Sequence, residues 1–314
     1  MPHLTESGIT NWTPERLSDL SGRRFIITGG NSGIGFEAAH LLAARNADVV
    51  IACRNEAKGK RALEKLVNAG ANVGAGRCDL LVLDLADMAS IRAASAEASK
   101  RFGAVHALIN NAGVMQTPKS TTADGFELQL GTNHLGHFLW TALMMPQVDQ
   151  DAGRVVTVSS IMHKFGRINF DNLMMERGYN ANLSYNRSKL ANLMFALELH
   201  RRLEAVGSHI KSIACHPGYS DTPLQSKVGN PLFKLAYTVS NAVFAQDAAR
   251  GAWPTVLAAA ETDAVSGGYY GPTGFFDARG PVGDSDVERR ALDANVAKRL
   301  WQVSEELVGE SFDM

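Results

Sequence analysis

No stretch of the 314-residue chain approaches the roughly 20 consecutive apolar residues that a bilayer-spanning helix needs, and Met1 to Ser21 is too polar to contain a signal peptide's apolar segment. Neither sign of charge is in surplus: 31 Lys and Arg stand against 32 Asp and Glu, a formal net charge of −1, and like charges form no block. That removes the electrostatic basis for holding nucleic acid or acidic lipid. Cysteine is scarce. Cys53, Cys78 and Cys215 show no C-x-x-C spacing, and two of them lie in apolar runs, the pattern of reduced, buried thiols without a disulfide. Repeats, low-complexity tracts and Pro/Gly-rich linkers are also lacking. What these absences leave is a cytoplasmic, soluble chain, 45% hydrophobic and 20% charged, of a length that suits one large α/β domain.

What is present centres on Arg24 to Gly35. The apolar run Phe25-Ile26-Ile27 leads through Thr28 into Gly29-Gly30-Asn31-Ser32-Gly33-Ile34-Gly35, and Phe36 to Ala44 has helical propensity and apolar spacing. It reads as strand, tight turn and helix start. Gly29 takes a turn conformation closed to other residues, Gly33 lets the backbone approach a pyrophosphate, and Gly35 lets the helix pack closely; phosphates then meet unpaired N–H groups at the positive end of the helix dipole. That is a dinucleotide site.

Residues 1–20 form an expected arm, with Trp12 as its anchor and Thr13-Pro14-Glu15 as a helix start. From residue 21 onward strand and helix alternate. Strands are expected at Ala47 to Cys53, Cys78 to Leu83, His106 to Asn110, Arg154 to Ser159, His209 to Cys215 and, short, at Gly268-Tyr269-Tyr270. Helices are expected at Glu56 to Asn68, Ala86 to Phe102, about Phe126 to Met145 and Ser184 to Leu203. The alternation predicts a doubly wound parallel sheet of seven strands in a single domain, residues 21–314.

Several residues at the expected strand ends carry chemistry. Where NAD sites usually place an acid for the ribose hydroxyls, Cys53 is followed by Arg54, which suits a ribose phosphate; Lys58 and Lys60 add to the field, and Glu56 is the alternative, NAD-type group. NADP(H) is therefore expected ahead of NAD(H). Asn110-Asn111-Ala112-Gly113 follows strand four at the carboxyl edge, where ligands of such sheets bind. Tyr185 and Lys189, four apart on a helix, share a face, and a fixed ammonium favours phenolate over phenol, which makes the tyrosine a general acid/base. Ser159 and Ser160 end strand five, and alternation along a strand lets only one of them point into the site. His134 and His137, three apart without a third ligand motif, read as structural and not as a metal site. His216 reads as a hydrogen-bonded loop histidine near the cofactor.

Taken in order, Thr28-Gly-x-x-x-Gly-x-Gly35, Asn110-Asn-Ala-Gly113, Asn133, the serine after strand five, Tyr185-x-x-x-Lys189 and Pro217-Gly218 resemble the short-chain dehydrogenase/reductase family from about residue 22 to 270. Ala52-Cys-Arg-Asn55, Asn133-His-Leu-Gly-His-Phe138 and Ser188-Lys-Leu-Ala-Asn192 resemble its retinol-dehydrogenase-like branch, whose members mostly favour NADP. The resemblance implies a Rossmann-type fold and hydride transfer between the nicotinamide and a carbonyl or alcohol. It implies that Tyr185 exchanges the proton at the carbinol oxygen, that Lys189 lowers the tyrosine pKa and holds the nicotinamide ribose, that Ser160 donates to the substrate oxygen, and that Asn133 holds a water between Lys189 and solvent. By the same resemblance Asn31, Ser32 and Ile34 belong to the cofactor turn, Asp84 and Leu85 flank the adenine, Asn111, Ala112 and Gly113 line the cofactor, and Pro217, Gly218 and Thr222 meet the nicotinamide.

Two rival readings differ from this one. A sugar-nucleotide epimerase or dehydratase shares the Tyr/Lys pair but usually has two residues between successive turn glycines, whereas three separate Gly29 from Gly33 here. A non-catalytic NADP-binding sensor or scaffold need not keep Ser160, Tyr185 and Lys189 together. Two further expectations concern surroundings. A lid is expected around 219–250, where Leu232, Leu235, Ala236, Val239 and Val243 form an apolar stripe; lining a pocket it predicts a lipophilic substrate, though it equally suits core packing or a shallow amphipathic contact with a membrane surface. Phe138, Leu139, Trp140, Leu143, Leu190, Leu193, Phe195 and Leu197 supply apolar surface for core and interface together, so a homodimer or homotetramer is expected by the family's habit.

Overall fold

Strand β1 (Arg24–Thr28) is buried at every residue after its first, because helices cover a parallel sheet on both faces and leave it no polar side. The computed structural model to which it belongs describes residue 4 and residues 6–68, 77–218, 247–274 and 277–313. The further strands are β2 (Asp48–Cys53), β3 (Cys78–Val82), β4 (Ala107–Asn110), β5 (Arg154–Val158), β6 (Lys211–Cys215), β7 (Tyr269–Gly274) and β8 (Arg279–Asp284). They form one sheet in the order β3-β2-β1-β4-β5-β6-β7-β8. Between β1 and β4 the order reverses, and that switch point is where doubly wound sheets open a crevice at the carboxyl ends of the strands.

Alternation along β1 divides the core in two. Phe25 and Ile27 pack on one face with helices α1 (Gly33–Ala43) and α2 (Glu56–Leu66), while Ile26 packs on the other with α3 (Met88–Arg101). The second face also carries α4 (Gly136–Met144) and α5 (Ala181–Ala205); the first also carries α6 (Trp253–Ala260). The helical stretch expected over residues 126–145 is broken into a single turn at Leu128–Leu130, a π-helical segment at Gly131–Leu135 and then α4.

The sheet has eight strands, not seven, and the last is antiparallel: β8 pairs with β7, with Tyr270 opposite Asp284 and Pro272 opposite Val282. Gly280, Pro281 and Gly283 dilute its strand signature, and pairing imposes what propensity does not. Its outer side is met by the N-terminal arm. The Trp12 N–H donates to the Val282 carbonyl, its indole N–H donates to Glu261 at 2.7 Å, and the backbone N–H groups of Ser7 and Gly8 donate to Asp284. The sheet edge is thereby covered rather than left open to pairing.

The last helix, α7 (Ala294–Val308), lies over α4 and α5. Its Trp301 stacks on Phe195 at 5.6 Å and stands edge-on to Phe138 at 5.0 Å. Of the eight residues expected to serve core and interface, all but the partly exposed Leu143 are buried within this one chain. The segment Tyr219 to Phe244, including Thr222 and the expected lid helix, lies outside the described residues.

Candidate active site

Register fixes the site. Thr28 lies beside Ala52, Asn110 beside Thr157 and Val158 beside Cys215, so the loops leaving β1, β2, β4, β5 and β6 emerge along one edge of the sheet. Gly29, Asn31, Ser32, Gly33, Ile34, Arg54, Asn111, Ala112, Gly113, Ser160, Pro217 and Gly218 all sit on those loops or at the helix start that follows.

Gly29 has φ +70°, and a Cβ there would meet the Ala112 Cα at 3.0 Å. At Gly35 a Cβ would meet the Asn111 amide nitrogen at 2.5 Å and the Gly29 carbonyl oxygen at 2.6 Å, so these two glycines let the turn close onto the β4 loop. Thr28 completes the closure: its Oγ1 accepts from the N–H groups of Asn111 and Ala112, and the Asn111 side chain donates to the Thr28 carbonyl at 2.8 Å. Ser32 caps α1 with no side-chain hydrogen bond, which leaves the first-turn N–H groups without a side-chain acceptor from that residue.

Arg54 is exposed one residue beyond β2, while Glu56 pairs with Lys60 at 2.7 Å. After β3, Asp84 accepts from Ala86 N–H at 3.0 Å, and Leu85 is buried in the core; its carbonyl abuts Gly136, where a Cβ would come within 2.3 Å.

The two serines after β5 part company. Ser159 Oγ donates to the Lys189 carbonyl at 2.7 Å and so faces the backbone of α5. Ser160 Oγ accepts from Met162 N–H at 3.2 Å, a bond that leaves its own proton to be donated elsewhere. The turn that follows lies against α5, since a Cβ at Gly166 would meet the Asn186 carbonyl at 2.5 Å. On α5, the Lys189 ammonium lies 5.8 Å from the centre of the Tyr185 ring and donates to the Val158 carbonyl at 3.1 Å. Burial pulls the Lys189 pKa down to about 8.

Asn133, wholly buried in the π-helical segment, ties this helix to the β4 loop. Its Oδ1 accepts from Val114 N–H, and its Nδ2 donates to the Val114 carbonyl and to Ser188 Oγ. A Cβ at Gly113 would lie 3.2 Å from Asn133 Oδ1 and 3.8 Å from the Lys189 ammonium, so the glycine keeps a cradle open beside both. His134 bonds Ser304 Oγ at 2.9 Å, and His137 bonds the Asn133 carbonyl and Thr28. Among the described residues no group of three potential ligands gathers for a metal. The three cysteines are free, and burial pushes the Cys215 thiol up to about 12. One residue at this edge escapes a reading of the sequence: His163, buried beneath Ser160, with Nδ1 2.7 Å from the Ser160 carbonyl.

A doubly wound sheet with a glycine turn at its switch point, and a serine, tyrosine and lysine on the loop and helix beside it, define a nicotinamide-dependent oxidoreductase class. Comparison with known proteins gives the family. The profile described as short chain dehydrogenase matches residues 23–232. Retinol dehydrogenase 14 of Homo sapiens is 38% identical over 304 residues, covering 92% of this chain and 87% of its own. Retinol dehydrogenase 12 of Homo sapiens is 40% identical with the same coverage. The crystal structure of an uncharacterized protein from Mycobacterium paratuberculosis is 40% identical and superposes with a TM-score of 0.80 over 97% of this chain and all of that one. A short chain dehydrogenase from Burkholderia cenocepacia, solved in complex with NADP, shares the fold at 23% identity, with a TM-score of 0.63 over 80% of this chain and 96% of its own. The chain belongs to the short-chain dehydrogenase family, in its retinol-dehydrogenase-like branch, and is an NAD(P)-dependent oxidoreductase acting on CH–OH and C=O groups.

Proposed function

We propose that the protein transfers hydride between NADP(H) and a lipophilic aldehyde, ketone or matching alcohol, with Tyr185 as general acid/base. The observation that carries this reading is the placement of the Lys189 ammonium, held by the carbonyl at the end of β5, beside the Tyr185 ring and the open cradle at Gly113. The residues fit a dinucleotide: Gly29 and Gly35 let the glycine turn close onto the β4 loop, Gly113 keeps a cradle open beside Asn133 and Lys189, and Asn31 and Ser32 lead into α1, which Gly33 and Ile34 begin. When bound, the nicotinamide supplies or receives the hydride. Tyr185 gives its phenolic proton to the substrate oxygen in reduction and takes it back in oxidation. Ser160 donates a hydrogen bond to the same oxygen, where negative charge grows. Lys189 favours the phenolate by its charge and reaches the nicotinamide ribose. With both amide groups of Asn133 already bonded, its main-chain carbonyl, which has a second lone pair, is the acceptor for a water leading to Lys189.

Arg54 supports NADP(H) over NAD(H), since Glu56, the NAD-type alternative, is paired with Lys60. Asp84 and Leu85 border the adenine, and Pro217 and Gly218 the nicotinamide. The lipophilic substrate rests on the names of the retinol dehydrogenases and on two exposed apolar side chains flanking the catalytic residues: Phe165, 65% exposed, five residues after Ser160, and Leu183, 52% exposed, two before Tyr185. No described helix is long and apolar enough to cross a membrane, and we place the protein in the cytoplasm. Purified protein supplied with NADPH or NADH and a panel of aldehydes, ketones, steroids and sugars tests the reading. Turnover is expected for long apolar carbonyls with NADPH. It is expected to vanish in Tyr185→Phe while NADPH binding persists; retention of most of the rate in that variant overturns the mechanism.

A further inference from the structure

Behind the candidate catalytic residues lies a buried polar cluster that the chemistry above does not use. His163 stands in the short 3-10 turn Ile161–Phe165 and is wholly buried. Its Nδ1 lies 2.7 Å from the Ser160 carbonyl, which can only accept, so Nδ1 carries the proton. Its Nε2 then accepts the Glu288 N–H at 3.2 Å. His216, directly after β6 and equally buried, shows the reverse arrangement. Its Nδ1 accepts the Gly218 N–H at 3.2 Å, so its protonated Nε2 donates to Ser285 Oγ at 2.8 Å. Tyr269 of β7 fills the space between, with its ring edge-on to His163 at 5.5 Å and tilted onto His216 at 5.1 Å. Its carbonyl accepts the Ser285 N–H at 2.8 Å. Arg290 adds a bond of 2.9 Å to the Gly166 carbonyl.

We propose that His163 and His216 are positioning residues, two neutral imidazoles of opposite tautomer that fix the Ser160 loop and the Pro217–Gly218 loop to one strap, Ser285–Glu288, carried by the antiparallel strand β8. The proposal rests on the functional reading in that Ser160 faces the substrate oxygen and Gly218 the nicotinamide. Sheet pairing holds β5 and β6 together only as far as the bond from Ser159 N–H to the Cys215 carbonyl, so Ser160 and the Pro217–Gly218 turn beyond it take their relative position from other contacts. The strap gives both a common reference, so the donor to the substrate oxygen and the nicotinamide wall keep a fixed separation. Each imidazole bridges two groups at once, and the side chain that replaces one of its nitrogens loses the other. Asparagine reproduces Nδ1, and glutamine reproduces Nε2.

Two measurements on the full chain test it. Ring 15N NMR at neutral pH, with the nine histidines assigned through His163→Asn and His216→Asn, is expected to show His163 protonated at Nδ1 and His216 at Nε2; the same tautomer at both, or a charged ring at either, overturns the pair. This readout needs no turnover, so it stands or falls apart from the functional reading, which Tyr185→Phe decides. In kinetics, His163→Leu is expected to lower kcat about 10–100-fold through misplacement of Ser160 while the Kd for NADPH moves less than about 3-fold. His163→Asn, which keeps the bond to Ser160, is expected to recover most of the loss, and His163→Gln little. Unchanged kcat in His163→Leu, or equal kcat in the Asn and Gln variants, overturns the role. If His163→Leu does not fold, Ser285→Ala removes only the acceptor of His216. A fall in kcat of about 3–10-fold is then expected from the loss of one neutral hydrogen bond, and no change overturns the strap.

Discussion

The Thr28 hydroxyl donates to Nε2 of His137 at 2.8 Å, and so links the last residue of β1 to the helix that follows Asn133. The direction of the bond follows from the other ring nitrogen: Nδ1 gives its proton to the Asn133 carbonyl at 2.9 Å, which leaves Nε2 as acceptor. The same hydroxyl oxygen accepts two N–H groups of the β4 loop. Thr28→Val keeps the shape but strands the Ala112 amide and the buried imidazole, and leaves the Asn111 amide only the Ile109 carbonyl. It is expected to cost about 2–4 kcal/mol in urea unfolding. Thr28→Ser, which keeps the oxygen, is expected to cost less than about half of that; equal losses for the two variants count against the network.

Arg54 is expected to decide between the cofactors. On the reading proposed above, Arg54→Ala would remove a charge-assisted bond to a ribose phosphate, worth about 1.5–3 kcal/mol, and leave an unphosphorylated ribose untouched. The Kd for NADPH is therefore expected to rise roughly 10- to 150-fold, while that for NADH changes little. Fluorescence titration with both cofactors checks it, and parallel losses refute the assignment.

Acid is expected to unfold the protein well above the carboxylate range. Burial pulls His134 and His216 down to about 3, and His137 and His163 to about 4, against 6.5 for an ordinary histidine. Neighbouring charges act in both directions at His163: Lys164 lowers it, while Glu288 and Asp277 raise it. The folded state holds all four rings neutral, so below about pH 6.5 the unfolded chain binds more protons and stability falls as pH falls. Each ring contributes a slope of about 1.4 kcal/mol per pH unit between about pH 6 and its own folded value. Full stability is expected above about pH 7, with a steep loss of Tm from pH 6 to pH 4.5. A flat Tm across that window contradicts the burial of the four rings. Replacing His163 with Asn is expected to make the slope shallower by one proton's worth.

The central strands β1, β2, β4 and β5 are legible because parallel strands covered on both faces are written as near-continuous apolar runs, and the turn after β1 because its glycines are required by positive φ and close approach. The Ser160, Tyr185 and Lys189 positions are legible only in combination, since a tyrosine and a lysine four apart occur on any helix. Strand β8 is not legible, for its glycines and proline leave β7 and the arm to define it. The π-helical segment around Asn133 escapes because its register follows from contacts with Val114 and Ser188, far along the chain. His163 carries no local signal at all; its second partner, Glu288, lies 125 residues away. Helix α7 is different, since Asp293 caps it, Gly309 ends it, and Ala297, Leu300, Trp301, Ser304 and Val308 repeat at helical spacing; it stands in plain sight of a reading that stops at β7.

That helix bears on assembly. The apolar residues of α4 and α5, from which a homodimer or homotetramer is expected, are covered by the chain's own Trp301 and by Phe312, whose ring lies 4.5 Å from that of Trp301 and 5.0 Å from that of Phe138. Arg202 stacks over the outer side of Trp301 at 4.3 Å, and Arg92 donates to the Val308 carbonyl and pairs with Glu310, so the cover is fastened along its length. A face already occupied is not available to a second copy. The intact chain is therefore expected not to pair through α4 and α5, and a chain ending at Leu292 is expected to expose Phe138, Phe195 and Leu199 and to self-associate. Light scattering at micromolar concentration compares the two. Trp301→Ala, which leaves the helix in place but opens a large cavity beneath it, is expected to cost about 3–5 kcal/mol without changing the mass of the folded species. An intact dimer that Leu199→Asp or Phe195→Ala splits into folded monomers places the interface on this face after all.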